Sequence, residues 1–154
     1  MIEALERAAG RPVSRETSAL LETYVERLKT ANRNQNLVAE STLDDIWDRH
    51  ILDSAQLVRF EPRPGASWVD IGSGAGLPGI VIAALVLGPV TLVEPRRLRA
   101  AFLEETVAVS GLSDRVTVHA SKIENVRGQY DVITARARTR IGAPLHFRPL
   151  FAHG

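Results

Sequence analysis

Apolar and polar positions in the first part of the chain repeat with a helical period. Apolar residues recur every three or four positions over about residues 14–31, with charged residues between them, which predicts an amphipathic helix. An asparagine-rich turn at residues 32–36 ends it, and a second apolar stripe predicts another helix over about residues 41–58. The proline-rich segment 61–65 then ends this pattern and is predicted to be a linker. We therefore predict a helical N-terminal extension over residues 1–64.

From residue 67 the pattern changes to short apolar runs that alternate with helical stretches. Strands are predicted at 68–71, 90–94, 116–119 and 130–135, with helices at 77–87 and 97–110. Strands that alternate with helices are typical of a parallel sheet with right-handed crossovers, which binds ligands at the carboxyl ends of its strands. We therefore predict an α/β core over residues 65–137, followed by an atypical tail, 138–154, that has no regular period.

The composition is ordinary for a globular domain and excludes several classes of site. The 154 residues are 45% hydrophobic and 24% charged and include no cysteine, which excludes disulfides and thiolate metal sites. The N-terminus has no apolar signal region, and the longest apolar stretch, 77–93, is broken by prolines and glycines, so no membrane contact is expected. The four histidines are scattered, so no metal site is expected. We expect a soluble, cytoplasmic protein.

Charge is distributed unevenly along the chain. Residues 1–93 carry a net charge of −3, whereas residues 94–154 carry +4. A basic second half is suited to the phosphates of a nucleic acid, and Arg96, Arg97 and Arg99 are candidates for such a patch. A solvated charged surface explains the same residues equally well, so charge alone does not assign a partner.

The segment 70–79, DIGSGAGLPG, contains the main candidate site. Glycines let a chain turn sharply from a strand into a helix and let the backbone approach a ligand closely. Gly74, Gly76 and Gly79 form the G-x-G-x-x-G pattern of dinucleotide-binding folds, and Glu94 lies 20 residues beyond Gly74, where an acid would hold a ribose hydroxyl. The spacing therefore permits an NAD(P)-dependent oxidoreductase.

Two features of the same segment favour S-adenosylmethionine as the cofactor. Asp70 precedes Gly72 by two residues, and a carboxylate there would meet the ammonium and sulfonium groups of S-adenosylmethionine but would repel a diphosphate. Gly72 stands where a dinucleotide fold usually has an apolar strand residue. In both interpretations Glu94 accepts hydrogen bonds from the ribose. The residues themselves thus predict a cofactor site formed by Asp70, Gly72, Gly74, Gly76 and Glu94.

Longer stretches of sequence are more specific than the glycines. They read NLVA at 36–39, RHILDS at 49–54, LPG at 77–79, SKIE at 121–124 and TARA at 134–137. In this order they resemble the bacterial guanine-N7 methyltransferases of small-subunit ribosomal RNA, the glucose-inhibited division protein B or RsmG family. The resemblance covers roughly residues 1–137.

The resemblance implies a class I S-adenosylmethionine-dependent methyltransferase fold, which is Rossmann-like, with an N-terminal helical extension. The reaction implied is methyl transfer to N7 of a guanine in 16S ribosomal RNA, with that RNA or the small ribosomal subunit as partner. Because N7 already carries a lone pair, no general base is needed and no catalytic residue is assigned; His50 is expected to be a packed structural histidine. The cofactor contacts implied match Gly72, Leu77, Glu94, Ile123, Glu124 and Arg136.

Beyond Ala137 the chain departs from the family pattern. The final 17 residues lack a helical or strand period, whereas the family continues with further strands and helices. We therefore expect a truncated or frame-shifted product that lacks the C-terminal strands and has impaired activity. An NAD(P)-dependent oxidoreductase and a non-catalytic RNA-binding or assembly protein remain alternatives, and the latter predicts salt-dependent RNA binding that is indifferent to cofactor.

Overall fold

The computed structural model describes residues 1–135, within which the strands form a four-stranded parallel sheet. The strands are β1 (Trp68–Ile71), β2 (Val90–Val93), β3 (Val116–His119) and β4 (Val132–Ala135), in the spatial order β3-β2-β1-β4. The predicted α/β class and the positions of these strands are confirmed. β2 ends one residue earlier than predicted, and β4 begins two residues later.

The strand order creates a switch point beside β1. From β1 the chain moves outward to β2 and then β3, and it returns across the sheet to pair β4 with the other side of β1. Open α/β sheets bind ligands in the crevice outside the carboxyl ends of the strands at such a point. The glycine segment follows β1 at this edge, and Glu94 follows β2.

Two helices follow the first two strands. α4 (Gly79–Leu85) is apolar throughout and is almost completely buried, because it lies between β2 and the N-terminal part of the chain. α5 (Arg97–Val109) buries one side only, on which Phe102 and Leu103 contribute to the core. The predicted helix 77–87 is therefore shorter than expected, because the residues before Gly79 form part of the glycine turn.

The N-terminal extension contains one helix that the apolar pattern did not predict. This helix, α1 (Ile2–Ala9), is a short amphipathic element that buries Leu5 and Ala9. α2 (Arg15–Asn32) is the helix expected over residues 14–31, and the Ser14 side chain caps it by accepting a hydrogen bond from the backbone N–H of Thr17. Eight residues make only about two turns, which is a short window in which to recognise a helical period.

The single helix predicted over residues 41–58 is wrong. A 3₁₀ turn at Glu40–Asp45, a π-helical turn at Trp47–Ile51, α3 (Leu52–Ala55) and a second 3₁₀ turn at Gln56–Phe60 replace it. These geometries repeat every three to five residues and place apolar side chains on similar faces. The apolar pattern therefore identified which positions face the core but not which kind of helix carries them.

One buried core joins the extension to the sheet. Leu5, Leu28, Ile51 and Trp68 all belong to it, and each is at most 1% exposed. Side chains on both sides of residue 64 therefore belong to this core, and the boundary placed there stays a prediction. The proline-rich segment is itself held by two ion pairs, one from Arg11 to Glu61 at its start (3.2 Å) and one from Arg63 at its middle to Asp131 (2.9 Å).

The expectations about membrane spans, metal sites and the C-terminal tail concern only part of the chain or lie outside the described residues. Within residues 1–135, no helix is long and apolar enough to cross a membrane, and no group of three His, Cys, Asp or Glu side chains is arranged to hold a metal ion. Arg136 and the predicted tail 138–154 lie outside the described residues. The expectation that C-terminal strands are missing stays a prediction.

Candidate cofactor-binding site

The glycine segment forms a turn that is hydrogen-bonded to the neighbouring strand. Gly72, Gly74 and Gly76 have φ angles of 71°, 54° and 93°, which lie in the left-handed region that glycine adopts without steric cost. The backbone N–H groups of Gly72 and Ser73 both donate to the carbonyl of Val93 at the end of β2, at 2.8 and 3.0 Å. The turn therefore begins in a fixed position relative to β2.

The glycines of the turn differ in what surrounds them. A Cβ atom placed on Gly72 would have no neighbour within 4 Å, and one on Gly74 would have none closer than 3.8 Å. A Cβ atom on Gly76 would lie 2.6 Å from Cγ1 of Ile80 and 2.9 Å from the hydroxyl of Tyr24. Gly72 and Gly74 thus expose backbone to open space that a ligand can approach, whereas Gly76 is required by internal packing.

Glu94 lies beside this exposed backbone. Its Oε2 atom accepts a hydrogen bond from the N–H of Gly74 at 2.9 Å, and Oε1 accepts one from the N–H of Arg96 at 3.2 Å. The residue is only 4% exposed. An ionised carboxylate offers about four acceptor positions, so both oxygens keep capacity for a further donor such as a ribose hydroxyl. The structure therefore brings Glu94 to the glycine turn, as the sequence predicted.

Asp70 has partners inside the protein. It is 1% exposed; its Oδ2 atom accepts a hydrogen bond from the N–H of Gly79 at 3.1 Å, and Oδ1 accepts one from the hydroxyl of Thr134 at 3.0 Å. Hydrogen bonds of this kind make a buried carboxylate tolerable, and a negative charge at the start of a helix is favoured. The sequence argument required a cation or hydrogen-bond donors here, and the structure supplies donors. A direct contact between Asp70 and a cofactor stays a prediction.

The remaining residues predicted to contact the cofactor are Leu77, Ile123, Glu124 and Arg136. Leu77 is 2% exposed and packs in the core. Ile123 lies on a 3₁₀ turn after β3 and packs against a small cluster on the second face of the sheet that includes Val69 and Val93. Glu124, on the same turn, is exposed. Their contacts with a cofactor stay predictions, as does that of Arg136, which lies outside the described residues.

Two contacts connect the N-terminal extension to this site. Tyr24 of α2 is 0% exposed and donates its hydroxyl hydrogen to the carbonyl of Ala75, at 2.6 Å. Arg99 of α5 donates to the carbonyl of Asn36 in the asparagine-rich turn, at 3.2 Å. The sequence analysis did not assign Tyr24 to the site, because a tyrosine on the apolar stripe of α2 signals only burial.

His50 has a structural environment, as predicted. It is 6% exposed, and its Nε2 atom lies 2.8 Å from the hydroxyl oxygen of Thr42. The same hydroxyl lies 2.7 Å from the carbonyl of Ala39 and donates to it. The histidine therefore helps to join the first 3₁₀ turn to the π-helical turn that follows it.

Comparison with known families adds an independent finding to this geometry. The family model described as rRNA small subunit methyltransferase G (GidB) matches residues 17–147, which include most of α2, the glycine turn and β1 to β4. The chain belongs to this family. The family recognised from the sequence is thus confirmed, and the match continues past Ala137 to residue 147.

Curated members of the family are substantially longer than the region they share with this chain. A ribosomal RNA small subunit methyltransferase G from Zymomonas mobilis is 46% identical over 134 residues, which are 81% of this chain and 60% of the relative. The protein of the same name from Methylobacterium nodulans is 44% identical, over 84% of this chain and 63% of the relative. This chain therefore spans about three fifths of the length of these relatives.

Solved structures agree on the fold. An O-methyltransferase from Bacillus cereus in complex with S-adenosylhomocysteine has a TM-score of 0.51 at 22% identity, over 75% of this chain and 54% of that protein. A structure from Methanococcus maripaludis, described as an S-adenosyl-L-methionine-dependent methyltransferase, has a TM-score of 0.52 at 17% identity, over 64% of this chain and 48% of that protein. The class I methyltransferase fold is thus confirmed.

Proposed function

We propose that this chain binds S-adenosylmethionine at the carboxyl ends of β1 and β2 and transfers its methyl group to N7 of a guanine in 16S ribosomal RNA. The observation that carries the proposal is the match of residues 17–147 to the rRNA small subunit methyltransferase G family, because that region contains the whole glycine turn and Glu94. Dependence on S-adenosylmethionine and the N7 position go further than this match and rest on the motif and the resemblance.

The residues at the switch point fit S-adenosylmethionine. Gly72 and Gly74 expose backbone without a Cβ in the way, and Glu94 lies between them and the end of β2 with acceptor capacity for a ribose diol. When bound, the cofactor would supply a methyl group on a positively charged sulfur, which is the electrophile that the reaction needs. The exposed backbone of the turn would hold the methionine side of the ligand, and Glu94 would orient the ribose.

The position of Asp70 is less compatible with a dinucleotide than with S-adenosylmethionine. Dinucleotide folds place a pyrophosphate at the N-terminus of the helix after the glycine turn. Here the N–H of Gly79, the first residue of α4, already donates to the Asp70 carboxylate at 3.1 Å. A pyrophosphate at the same place would compete with the carboxyl oxygen of Asp70 for this donor. This arrangement supports S-adenosylmethionine over NAD(P).

Methyl transfer to guanine N7 makes modest demands on the protein. Because the ring nitrogen attacks with a lone pair and loses no proton, the site needs to align the guanine and exclude water rather than supply a base. The buried histidine, His50, is therefore not required as a base. Arg96 and Arg97 are exposed at the start of α5, next to Glu94, where they would hold phosphates of the RNA near the cofactor.

Calorimetric titration of the 154-residue chain with S-adenosylhomocysteine, and separately with NADH, tests the cofactor part. We expect saturable binding of S-adenosylhomocysteine and none of NADH. The reverse result would support an oxidoreductase, and binding of neither ligand to a chain shown to be folded by circular dichroism would contradict the cofactor assignment.

Transfer of a labelled methyl group from S-adenosylmethionine to 16S ribosomal RNA tests the reaction. We expect 7-methylguanosine when the RNA is digested to nucleosides and examined by mass spectrometry. Methylation at another atom would contradict the N7 assignment. RNA binding that falls steeply with salt but does not respond to S-adenosylhomocysteine would instead support a non-catalytic assembly protein.

A further inference from the structure

Tyr24 lies at the point where the N-terminal extension contacts the glycine turn. Its side chain is fully buried, its hydroxyl donates to the carbonyl of Ala75 at 2.6 Å, and the same hydroxyl oxygen is 2.9 Å from where a Cβ of Gly76 would be. Ala75 is itself only 6% exposed. The tyrosine thus meets two successive residues of the turn.

Three successive residues of the turn are held by three different parts of the protein. Gly74 donates its N–H to Glu94 after β2, Ala75 accepts from Tyr24 of α2, and Gly76 is enclosed by side chains of the core. A turn rich in glycine has little conformational preference of its own, so such outside contacts decide its shape. Within this set, the contacts that come from the extension are those of Tyr24, to Ala75 and to Gly76.

We propose that Tyr24 is a positioning residue of the cofactor site. By holding the carbonyl of Ala75, it fixes the peptide unit whose N–H, that of Gly76, donates to the carbonyl of Ser73 at 2.7 Å, and it thereby keeps the turn in the shape that a ligand meets. Because it is buried, Tyr24 touches neither cofactor nor RNA and acts only through the turn. This inference rests on the proposed function, and it makes α2 a part of the cofactor site as well as of the core.

The variant Tyr24→Phe removes the hydroxyl and keeps the ring. Thr106→Val is the matched control, because Thr106 is also fully buried, its hydroxyl donates to the carbonyl of Phe102 at 2.7 Å, and it accepts from Arg27 of α2 at 3.3 Å. Both variants remove one buried hydroxyl at the contacts of α2, but only Tyr24→Phe removes a contact to the turn. Both are measured well below their melting temperatures.

The first readout is the Kd for S-adenosylhomocysteine. We expect Tyr24→Phe to raise it about tenfold, because the buried carbonyl of Ala75 loses its donor and the turn relaxes, and we expect Thr106→Val to change it less than about twofold. Where methyl transfer is measurable, KM for S-adenosylmethionine should rise more than kcat falls. An unchanged Kd in Tyr24→Phe, or an equal loss in Thr106→Val, would overturn the proposal.

The second readout is independent of ligand binding. In glycine-labelled protein without ligand, the amide signals of Gly74 and Gly76 should shift in Tyr24→Phe and stay in place in Thr106→Val. If the wild-type chain binds no S-adenosylhomocysteine, the proposed function fails, and unshifted glycine signals would show separately that Tyr24 does not position the turn.

If Tyr24→Phe does not fold, the hydroxyl proton of Tyr24 in tyrosine-labelled wild-type protein provides the test. This proton should be protected from exchange, and its signal should shift when ligand is added. Absence of a shift would reject the role of Tyr24.

Discussion

The carboxylate of Asp70 accepts a hydrogen bond from the backbone N–H of Gly79 at 3.1 Å, which places a buried carboxyl group at the first residue of α4. The approach requires glycine, because a Cβ at that position would lie 2.6 Å from the same oxygen. Thr134 of β4 donates to the other oxygen at 3.0 Å. One side chain therefore joins β1, α4 and β4 at the switch point, so the acid that introduces the glycine motif also builds the framework of the site.

Removing the Thr134 hydroxyl should destabilise the fold. In Thr134→Val the buried Asp70 loses a donor, and we expect the free energy of unfolding in urea to fall by about 1–3 kcal/mol. Thr134→Ser keeps a hydroxyl and should recover most of the loss. Thr117→Val, at an exposed position of β3, is the control and should change stability little. Equal effects of the two valine variants would show that Thr134 does not support Asp70.

Neutralising Glu94 should weaken binding of S-adenosylhomocysteine. Glu94→Gln keeps the size of the side chain but loses the charge that strengthens its hydrogen bond from Gly74 and its acceptance of ribose hydroxyls. We expect Kd to rise by about 10- to 100-fold, which corresponds to about 1.4–2.8 kcal/mol. Calorimetry with Glu104→Gln, an exposed acid on α5, provides the comparison and should give the wild-type Kd. A normal Kd in Glu94→Gln would remove the acid from the proposed site.

The sequence predicted the glycine turn and Glu94 because their chemistry is local. A strand that ends in glycines, and an acid at the end of the next strand, are brought to one edge by parallel pairing alone. The roles of Tyr24 and Thr134 depend on contacts 51 and 64 positions away along the chain, and no local pattern encodes those partners. Asp70 lies near the carboxyl end of β1, as its place in the motif indicated, but its hydrogen-bond donors come from α4 and β4, whose positions the motif does not give.

The elements that were predicted poorly are those whose apolar pattern is ambiguous. The strands are short, strongly apolar and bounded by turn residues, so their positions were predicted to within two residues. The stretch Glu40–Phe60 has helical apolar spacing, yet it divides into 3₁₀, π and α turns. Burial of Ile51 and Val58 determines which side of the stretch faces the core but does not determine which backbone hydrogen-bond pattern it adopts. α1 was missed because it is only eight residues long.

Alanine in place of Gly76 should lower the free energy of unfolding more than alanine in place of Gly111, another glycine with a positive φ. Alanine at Gly76 would combine the strain of a φ of 93° with clashes against Ile80 and Tyr24. Alanine at Gly111 would have a φ of 70° but no neighbour within 4 Å. We expect Gly111→Ala to cost about 1–2 kcal/mol of unfolding free energy from backbone strain, and Gly76→Ala to cost clearly more because overpacking adds to it. Similar urea midpoints for the two variants would contradict the packing seen at Gly76.

Asp131 should stabilise the fold in a pH-dependent way. Hydrogen bonds from the backbone N–H of Ser67 and from Arg63 lower the pKa of Asp131 below its usual value of 3.8. A carboxyl whose pKa is lower in the folded state stabilises above its unfolded pKa, and this contribution is lost as pH falls through the folded pKa. We expect Asp131→Asn to be less stable than wild type near neutral pH, with the difference in stability shrinking below about pH 4. The difference should vanish once the Asp131 carboxyl of the wild type is protonated in both the folded and the unfolded state.

Urea midpoints measured across this pH range test the linkage. Asp114→Asn, at an exposed acid before β3, is the matched control and should not reproduce the pattern. A stability difference between Asp131→Asn and wild type that persists unchanged at the acid end would show that the carboxylate charge is not what stabilises this contact.

Arg96 and Arg97 should contribute electrostatically to RNA binding and not to cofactor binding. Both side chains are exposed at the start of α5, and only the backbone N–H of Arg96 bonds to Glu94, so substitution leaves that hydrogen bond in place. Each phosphate contact adds about −0.7 to the slope of log K against log salt for single-stranded RNA. The double variant Arg96→Gln/Arg97→Gln should therefore reduce the magnitude of that slope on 16S ribosomal RNA by about 1.4, with the Kd for S-adenosylhomocysteine unchanged.

A second double variant with the same change in charge distinguishes the effect of a local basic surface on RNA binding from the effect of the net charge of the protein. The control is Arg7→Gln/Arg15→Gln, because both side chains are exposed. Arg15 is the first residue of α2, and the other end of α2 leads to the asparagine-rich turn, which Arg99 contacts. The 18 residues of α2 place Arg15 about 27 Å from that end, well beyond the screening length of about 8 Å at physiological salt. If both pairs lowered the slope equally, RNA would be responding to overall charge; a loss confined to Arg96 and Arg97 would place the RNA at the edge of the sheet where Glu94 and the glycine turn lie.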